Sequence, residues 1–282
     1  MGRCGRLGGM RIASLHTYPV KGCHRLNHDE ARVEPWGLAG DRRWMIVDAE
    51  GVGITQRDAP LLTRLTARPR PGGIHLSAPG LSDVDIAEPG ADATAKVRIF
   101  RNKTPIPARV ADTTWVSTLL GRDARLVWQA DPTTRALTDS VLTGDSVNLA
   151  DGYPVLLANT ASHDALNDWL LEGGDEPVPI HRFRPNIVVT GAPAWAEDDW
   201  HGRRLRIGDL TFRVAGGCAR CLVTTIDQET GETGRQPLHI LGRHRRFGTE
   251  LLFAVNLIPD RPGVIRVGDR VTPPGDRVLG ES

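Results

Sequence analysis

The stretch Leu210-Thr-Phe-Arg-Val214, followed by Gly216-Gly217 and then Cys218-Ala-Arg-Cys221, indicates both a fold class and a chemistry. Its first five residues alternate apolar and polar side chains, the period of a half-buried β-strand. The preceding Arg204-Leu-Arg-Ile207 alternates in the same way, and the Gly208-Asp209 between the two runs predicts a β-hairpin. The glycine pair allows a tight turn or a close approach where the second strand delivers its cysteines.

Short β-forming runs separated by Gly, Pro or Asp recur along most of the chain. Further strands are predicted at 11–18, 43–48, 74–76, 84–86, 96–100, 186–190, 252–257 and 264–267. A short helix is predicted at 113–120. A longer helix follows Asn159 or Thr160, either of which can cap it, and ends at Gly173-Gly174. The pattern predicts a mainly β protein with a few helices, of the α+β class.

The composition is that of a globular protein, with 282 residues, 40% hydrophobic and 24% charged. A net charge of +1 excludes a broadly basic nucleic-acid-binding surface, so no nucleic-acid partner is expected. No apolar run approaches the ~18–20 residues of a membrane span. Residues 1–9 are a Gly/Arg-rich leader without the apolar core of a secretory signal, so we expect a cytoplasmic protein without a membrane contact.

Four cysteines are too few for a disulfide-stapled fold of this length, so the Cys218-x-x-Cys221 pair is of interest for reactivity or ligation. Arg220 between them would stabilise a thiolate by charge attraction. Two small half-buried hydrophobes on a hairpin remain an equally good interpretation of the pair alone. A structural zinc site needs four ligands, and a second such pair is missing.

Cationic and amide side chains stand at several strand ends. Pro185 should push Arg184 into an extended conformation and present Arg184 and Asn186 as two fixed donors for an oxyanion or a heterocycle. For each cation alone, a solvated surface position is the better interpretation. The residues concerned are Lys21, Arg42, Arg57, Arg184 and Arg220, which together would form a cationic pocket suited to a phosphate. No phosphate-binding P-loop and no dinucleotide-binding glycine motif occurs.

The order of these motifs resembles a known family, the MOSC proteins that carry an N-terminal MOSC β-barrel domain. The stretches that carry the resemblance are Tyr18-Pro-Val-Lys21, Gly40-Asp-Arg42, Thr55-Gln-Arg57, Asp151-Gly-Tyr-Pro-Val, Thr160-Ala-Ser162, Phe183-Arg-Pro-Asn186, Ala196-Glu-Asp-Asp-Trp200, Cys218-Ala-Arg-Cys221 and Val267-Gly-Asp269. The architecture is similar to that of the amidoxime-reducing components and their bacterial relatives. The resemblance implies a leader at 1–9, an N-terminal β-barrel domain at 10–128, a MOSC β-barrel domain at 129–275 and a tail at 276–282.

In that family a molybdenum–molybdopterin cofactor lies between the two domains, and one cysteine ligates the metal. The resemblance implies Cys221 as the catalytic molybdenum ligand. It implies cofactor contacts at Lys21, Gly22, Arg42, Arg57, Thr160, Ser162, Arg184, Asn186 and Arg220. The family usually has Ser where this chain has Gly22, so a hydroxyl contact is lost there and a backbone N–H remains. Pyridoxal phosphate is not expected.

The function that the resemblance implies is two-electron reduction of N-hydroxylated small molecules, in which the N–O oxygen is removed. Because the chain has no ferredoxin-like cysteine cluster and no dinucleotide loop, the electrons should come from a separate ferredoxin, flavoprotein or cytochrome-type donor. A non-catalytic carrier of the molybdenum cofactor, or a sulfur carrier using Cys221, is the alternative.

Overall fold

The computed structural model describes residues 9–99, 104–137 and 144–274, which form a mainly β protein with three α-helices. The strands are β1 Arg11–Thr17, β2 Leu26–His28, β3 Glu30–Glu34, β4 Gly37–Leu38, β5 Trp44–Val47, β6 Thr66–Arg70, β7 Gly73–Ser77, β8 Val84–Ala87, β9 Thr94–Val97, β10 Ile106–Asp112, β11 Arg125–Trp128, β12 Val155–Asn159, β13 Ile187–Thr190, β14 Arg204–Ile207, β15 Leu210–Ala219, β16 Arg246–Phe247, β17 Glu250–Pro259, β18 Gly263–Arg266 and β19 Val271–Thr272. The helices are α1 Thr114–Leu120, α2 Thr160–Glu172 and α3 Leu238–His244.

The predicted mainly β, α+β class is confirmed. The β14–β15 hairpin forms with its turn at Gly208, whose φ of 54° lies in the left-handed region that favours glycine. Helix α2 is capped by Asn159, because its side-chain oxygen accepts a hydrogen bond from the Ala161 N–H at 3.2 Å. The strand predicted at 96–100 overlaps β9 only at Lys96 and Val97, because β9 begins two residues earlier, and Phe100 lies outside the described residues.

The largest sheet has the strand order β19-β14-β15-β17-β12-β13-β1-β2, with β16 added at the end of β17. Met10 and Ile12 also form backbone hydrogen bonds of 2.8–3.0 Å with residues 268–271, beside β19. These bonds bring the two ends of the sheet together, although no continuous ladder closes a barrel in the described part of the chain. Its apolar face buries Leu15, Leu157, Phe212 and Leu257, among others.

The predicted boundary at residue 128 does not separate the sheets. Strand β1 belongs to the same sheet as the second half of the chain, and β3 pairs with β18. The remaining N-terminal strands form two smaller sheets, β5-β11-β10-β9 and β6-β7-β8, over a separate apolar core. The N-terminal segment thus crosses from one half of the fold to the other near Tyr18–Lys21, where the two halves meet.

The end of β15 is where glycine is required. A Cβ on Gly217 would lie 2.9 Å from the Leu252 side chain, and Gly216 adopts a φ of 128°. The pairing of β15 with β17 shifts register on both sides of this pair. These bulges bend the strand before Cys218 and direct the cysteine segment into the space between the two halves of the fold.

Candidate functional site

A cleft between the N-terminal segments and the end of β15 brings together eight of the ten predicted site residues. They are Lys21, Gly22, Arg42, Arg57, Arg184, Asn186, Arg220 and Cys221. Asp151, Tyr153, Phe183 and Cys218 also line it. The residues come from loops after β1, β4, β5 and β15 and from the entries to β12 and β13, so the cleft forms only when distant segments assemble.

Both cysteines at the cleft are bonded to arginines. The Arg57 Nη2 donates to the Cys221 Sγ at 2.8 Å, and the Arg220 Nη1 donates to the Cys218 Sγ at 2.9 Å. Arg220 also donates to the Phe183 carbonyl at 2.7 Å. The sequence placed Arg220 beside Cys221, but the cation that contacts this sulfur comes from the other half of the chain.

Tyr18 is a buried platform for two arginines. The Arg42 and Arg184 guanidinium carbons lie 4.6 Å and 4.1 Å from its ring centroid. Its hydroxyl donates to the Pro185 carbonyl at 3.1 Å, and burial raises its pKa to about 12. The ring therefore stays neutral and holds both cations at the floor of the cleft.

Arg184 does not adopt the predicted extended conformation. Its φ and ψ are 54° and 48°, which places it in the left-handed region. The following proline disfavours the right-handed helical region, but it does not exclude this one. This geometry ends the short 3-10 helix Ile180–Phe183, because the Arg184 N–H bonds to the His181 carbonyl at 3.0 Å. It also turns the guanidinium toward Tyr18.

The Arg184 guanidinium is buried, and one end of it is held by the protein. Its Nη1 donates to the Gln228 Oε1 at 2.8 Å, whereas its Nη2 has no hydrogen-bond partner within the described residues. Burial lowers the Arg184 pKa to about 10. Gln228 is itself fixed by a reciprocal amide pair with Gln56, with both bonds at 2.9 Å. A buried, positioned donor without a partner fits a bound anion.

Arg42 differs from Arg184 because it has a carboxylate partner. Its Nη1 donates to the Asp41 Oδ2 at 2.6 Å. Burial is the largest single effect and lowers the Arg42 pKa. The charge and hydrogen bond of the fully buried Asp41, together with Tyr18 and Asp151, outweigh burial, and the pKa is raised. Asp41 also accepts from the Tyr18 N–H at 2.7 Å.

Asn186 lines the cleft, but its carboxamide has a structural role that the sequence did not predict. Its Oδ1 accepts from the Leu156 N–H at 3.2 Å, and its Nδ2 donates to the His16 carbonyl at 3.1 Å. The amide thereby joins the ends of β1, β12 and β13. The predicted pair of free donors is corrected to one, the Arg184 guanidinium.

Lys21 is buried, and its ammonium has two protein partners. It donates to the Leu149 carbonyl at 2.9 Å and to the Asp151 Oδ1 at 2.6 Å. The positive charge of Lys21 lowers the Asp151 pKa below its usual range, and burial lowers the Lys21 pKa. The next residue, Gly22, has a φ of 85°, a conformation that favours glycine over serine.

Thr160 and Ser162 do not line the cleft. They lie at the start of α2, where the Ser162 Oγ accepts from the Trp195 N–H at 2.8 Å. A buried carboxylate from the chain itself, Glu197, is held beside this helix end by the Asn159 side chain at 3.1 Å. The helix start that the resemblance assigned to the cofactor is thus occupied by protein groups.

Two family models cover most of the chain. The MOSC domain matches residues 144–272, and the MOSC N-terminal beta barrel domain matches residues 9–123. The human mitochondrial amidoxime-reducing component 1 is 30% identical, over 92% of this chain and 82% of the human protein.

The chain belongs to the MOSC family. A rice (Oryza sativa subsp. japonica) molybdenum cofactor sulfurase is 29% identical over 88% of this chain but only 32% of its own length. The mouse amidoxime-reducing component 1 is 30% identical over 92% of this chain.

The cleft of this MOSC-domain protein fits an anionic cofactor that brings its own metal ligands. Within the described residues, no group of three or more His, Cys, Asp or Glu side chains could hold a metal ion. Cys221 would therefore be one protein ligand among others supplied by the cofactor. The buried Arg184 Nη2 and Arg220 Nε, both without partners among the described residues, suit its phosphate and pterin oxygens.

A larger cavity of about 420 Å³ lies elsewhere, lined by Lys96, Arg109, Asp131 and mostly small residues. The described residues that line it include no sulfur ligand, so chemistry and not size identifies the functional cleft. No helix within the described ranges has the length and apolar character needed to cross a membrane.

Three residues that shape the site of the MOSC-domain protein were not predicted. Tyr18 and Gln56 were each quoted as part of a motif but without a role, and Gln228 carried no signal. Glutamine at these positions has no local pattern, since the pair spans residues 172 apart in the chain. Only the assembled fold shows that it orients Arg184.

Glu197→Gln should stabilise the MOSC-domain protein more at pH 8 than at pH 4. Burial raises the Glu197 pKa, so the folded state holds a proton that the unfolded state releases above its ordinary pKa of about 4.3. Wild-type stability is therefore lost as pH rises through the folded pKa, whereas glutamine has no proton to lose. Denaturant unfolding between pH 4 and pH 8 measures this, with the exposed Glu232→Gln as control. A wild-type-to-variant difference that does not change with pH would contradict the prediction.

Proposed function

We propose that this MOSC-domain protein is a molybdenum cofactor-dependent reductase that removes oxygen from N-hydroxylated compounds. The observation that carries the proposal is a cysteine thiol placed beside buried guanidinium groups that have unused donors. Support comes from relatives of similar length that are named amidoxime-reducing components.

The residues divide into three roles. When bound, the cofactor would supply a molybdenum centre that exchanges two electrons and takes oxygen from the substrate. Cys221 would hold the metal, and Arg57 would orient its sulfur and stabilise the thiolate charge. Arg184 and Arg220 would hold the anionic end of the cofactor.

The overall reaction balances as an amidoxime plus two electrons and two protons, giving an amidine and water. The electrons come from a separate carrier protein, and the protons come from solvent. The donor type and a cytoplasmic location remain predictions.

Turnover should depend on an added electron carrier. The test uses protein purified from a host that makes the cofactor, with benzamidoxime as substrate and benzamidine as the measured product. Reduced viologen, or a flavin reductase with ferredoxin, should support turnover, and NADH alone should not. Product from NADH alone would contradict the separate-donor prediction.

The same protein preparation also distinguishes a reductase function from a cofactor-carrier function. The relative named molybdenum cofactor sulfurase makes cofactor or sulfur handling the second candidate. Stoichiometric molybdenum without product from any donor would favour a cofactor carrier. Absence of molybdenum would contradict both cofactor-based proposals.

A further inference from the structure

The segment 235–250 is a basic part of the second half of the fold. It contains Arg235, Arg243, Arg245, Arg246 and two histidines, against one acidic residue, Glu250. The chain as a whole has 35 cationic and 34 acidic residues, so this excess is local. The segment contains helix α3 and strand β16, and it ends beside the cleft. The hydrogen bond from the Arg220 N–H to the Leu251 carbonyl, at 2.8 Å, connects the two.

Two of the exposed side chains in this region are apolar. Phe247 is 49% exposed on β16, and Leu222, next to Cys221, is 62% exposed. The short turn Leu222–Thr225 packs against α3. Arg243, His244 and Arg246 are also exposed, and Arg243 and Arg246 have no carboxylate partner within the described ranges. We call Leu222, Arg243, His244, Arg246 and Phe247 the basic face.

The basic face rests on a rigid set of rings that leads into the cleft. His244 stacks on Trp169 at 4.3 Å, and Trp169 stacks on Trp195 at 5.2 Å. Phe253 lies 6.1 Å from Trp195 and 3.8 Å from Phe183, which lines the cleft. The buried Arg245, paired with Asp198 at 2.7 Å, places its guanidinium 4.8 Å from the Phe247 ring centroid.

We propose that the basic face is the docking surface for an acidic one-electron carrier protein. The inference rests on the proposed function, which requires two electrons per turnover from a separate protein. Exposed cations that are not already paired attract an acidic partner, and the exposed Phe247 and Leu222 provide the apolar centre of a small interface. Electron-transfer encounters use interfaces at the low end of the size range, which a face of this extent can supply.

The position of the face favours an electron carrier over another acidic partner. Leu222 directly follows the proposed metal ligand, so a carrier seated there lies one residue along the chain from Cys221. The packed rings between His244 and Phe183 leave continuous protein between the face and the cleft. Continuous packed atoms support electron tunnelling better than a water-filled gap.

The experiment measures binding of an oxidised, acidic plant-type [2Fe–2S] ferredoxin, which needs no turnover. The variant Arg243→Glu/Arg246→Glu should weaken binding by roughly tenfold or more, because like charges would then face each other. The Arg243→Gln/Arg246→Gln variant should show a smaller loss. The matched control is Arg68→Glu/Arg98→Glu, two exposed arginines on the N-terminal sheets, which should bind as the wild type does.

A second readout separates the docking surface from the proposed function. The charge-reversed variant should raise the KM for reduced ferredoxin and leave viologen-driven benzamidoxime reduction unchanged. Equal ferredoxin affinity in the wild type and the reversed variant would overturn the docking proposal, as would an equal loss in the control or no wild-type binding. Duplex DNA is the polyanion control. If the wild type bound DNA as tightly as ferredoxin and the charge-reversed variant lost both, the surface would be a general polyanion site and the docking proposal would be overturned. Absence of viologen-driven turnover in the wild type would instead count against the proposed reductase function.

Discussion

Cys221→Ser should lose nearly all bound molybdenum and all measurable reductase activity, whereas Cys218→Ser should keep most of both. Serine replaces a soft thiolate by a hydroxyl that stays protonated at neutral pH and does not reproduce the charge or the ligation of the thiolate. The two sulfurs lie in different surroundings although both line the cleft. Cys218 packs against the apolar cluster that contains Phe183 and Phe253, and its sulfur accepts from the neighbouring Arg220. The Cys221 sulfur accepts its hydrogen bond from Arg57 across the cleft.

The measurement is the molybdenum-to-protein ratio, taken together with benzamidoxime reduction. Removing a residue that only supports a ligand typically costs about 10–100-fold in metal affinity, so loss of the ligand itself should exceed that range. Circular dichroism provides the folding control, since neither substitution removes a large buried group. Full molybdenum content in Cys221→Ser together with metal loss in Cys218→Ser would reassign the ligand.

Local patterns predicted ten of the nineteen described strands and helices α1 and α2, but they missed helix α3 and nine strands: β2, β3, β4, β6, β10, β11, β12, β16 and β19. The β14–β15 hairpin and helix α2 were predicted because their period and their terminating residues lie within one segment. The membership of β1 in the far sheet was not predictable in the same way. Its partners β2 and β13 and the bonds to residues 268–271 are set by packing between distant segments.

The candidate site shows the same difference between local motifs, which the sequence predicts, and long-range packing, which it does not. Motif order pointed to Lys21, Arg42, Arg184 and Cys221, and the fold brings them to one cleft. The sequence did not predict how these side chains are oriented. Asn186 turns to the strands, and Arg184 takes a left-handed conformation that is unusual for a non-glycine residue. Thr160 and Ser162 match the family stretch but do not line the cleft.

Arg184 and Arg42 share one tyrosine ring, and their substitution by methionine should have opposite effects on the cofactor-free protein. Arg184→Met should leave the free energy of unfolding equal or higher, because burial of this cation already lowers its pKa to about 10 and opposes the charge. Gln228 keeps a partner in that variant, since its Oε1 also accepts from Gln56 at 2.9 Å. Arg42→Met should lower the free energy of unfolding by about 3–5 kcal/mol, because it leaves the buried Asp41 without its cation.

Cofactor retention should rank the two variants differently from stability. Arg184→Met removes a positioned charged donor and should weaken cofactor binding by roughly 10–100-fold, equivalent to about 1.5–3 kcal/mol. Urea unfolding of the cofactor-free protein measures stability, and molybdenum remaining after gel filtration measures retention. A stable Arg184→Met protein with wild-type retention would show that Arg184 does not hold the cofactor. A cofactor-free Arg42→Met protein as stable as the wild type would show that the Asp41–Arg42 pair contributes little to folding. The predicted pattern is a loss of cofactor retention in Arg184→Met and a loss of stability in Arg42→Met. This pattern requires that Arg184 binds the cofactor and that Arg42 stabilises the folded cleft.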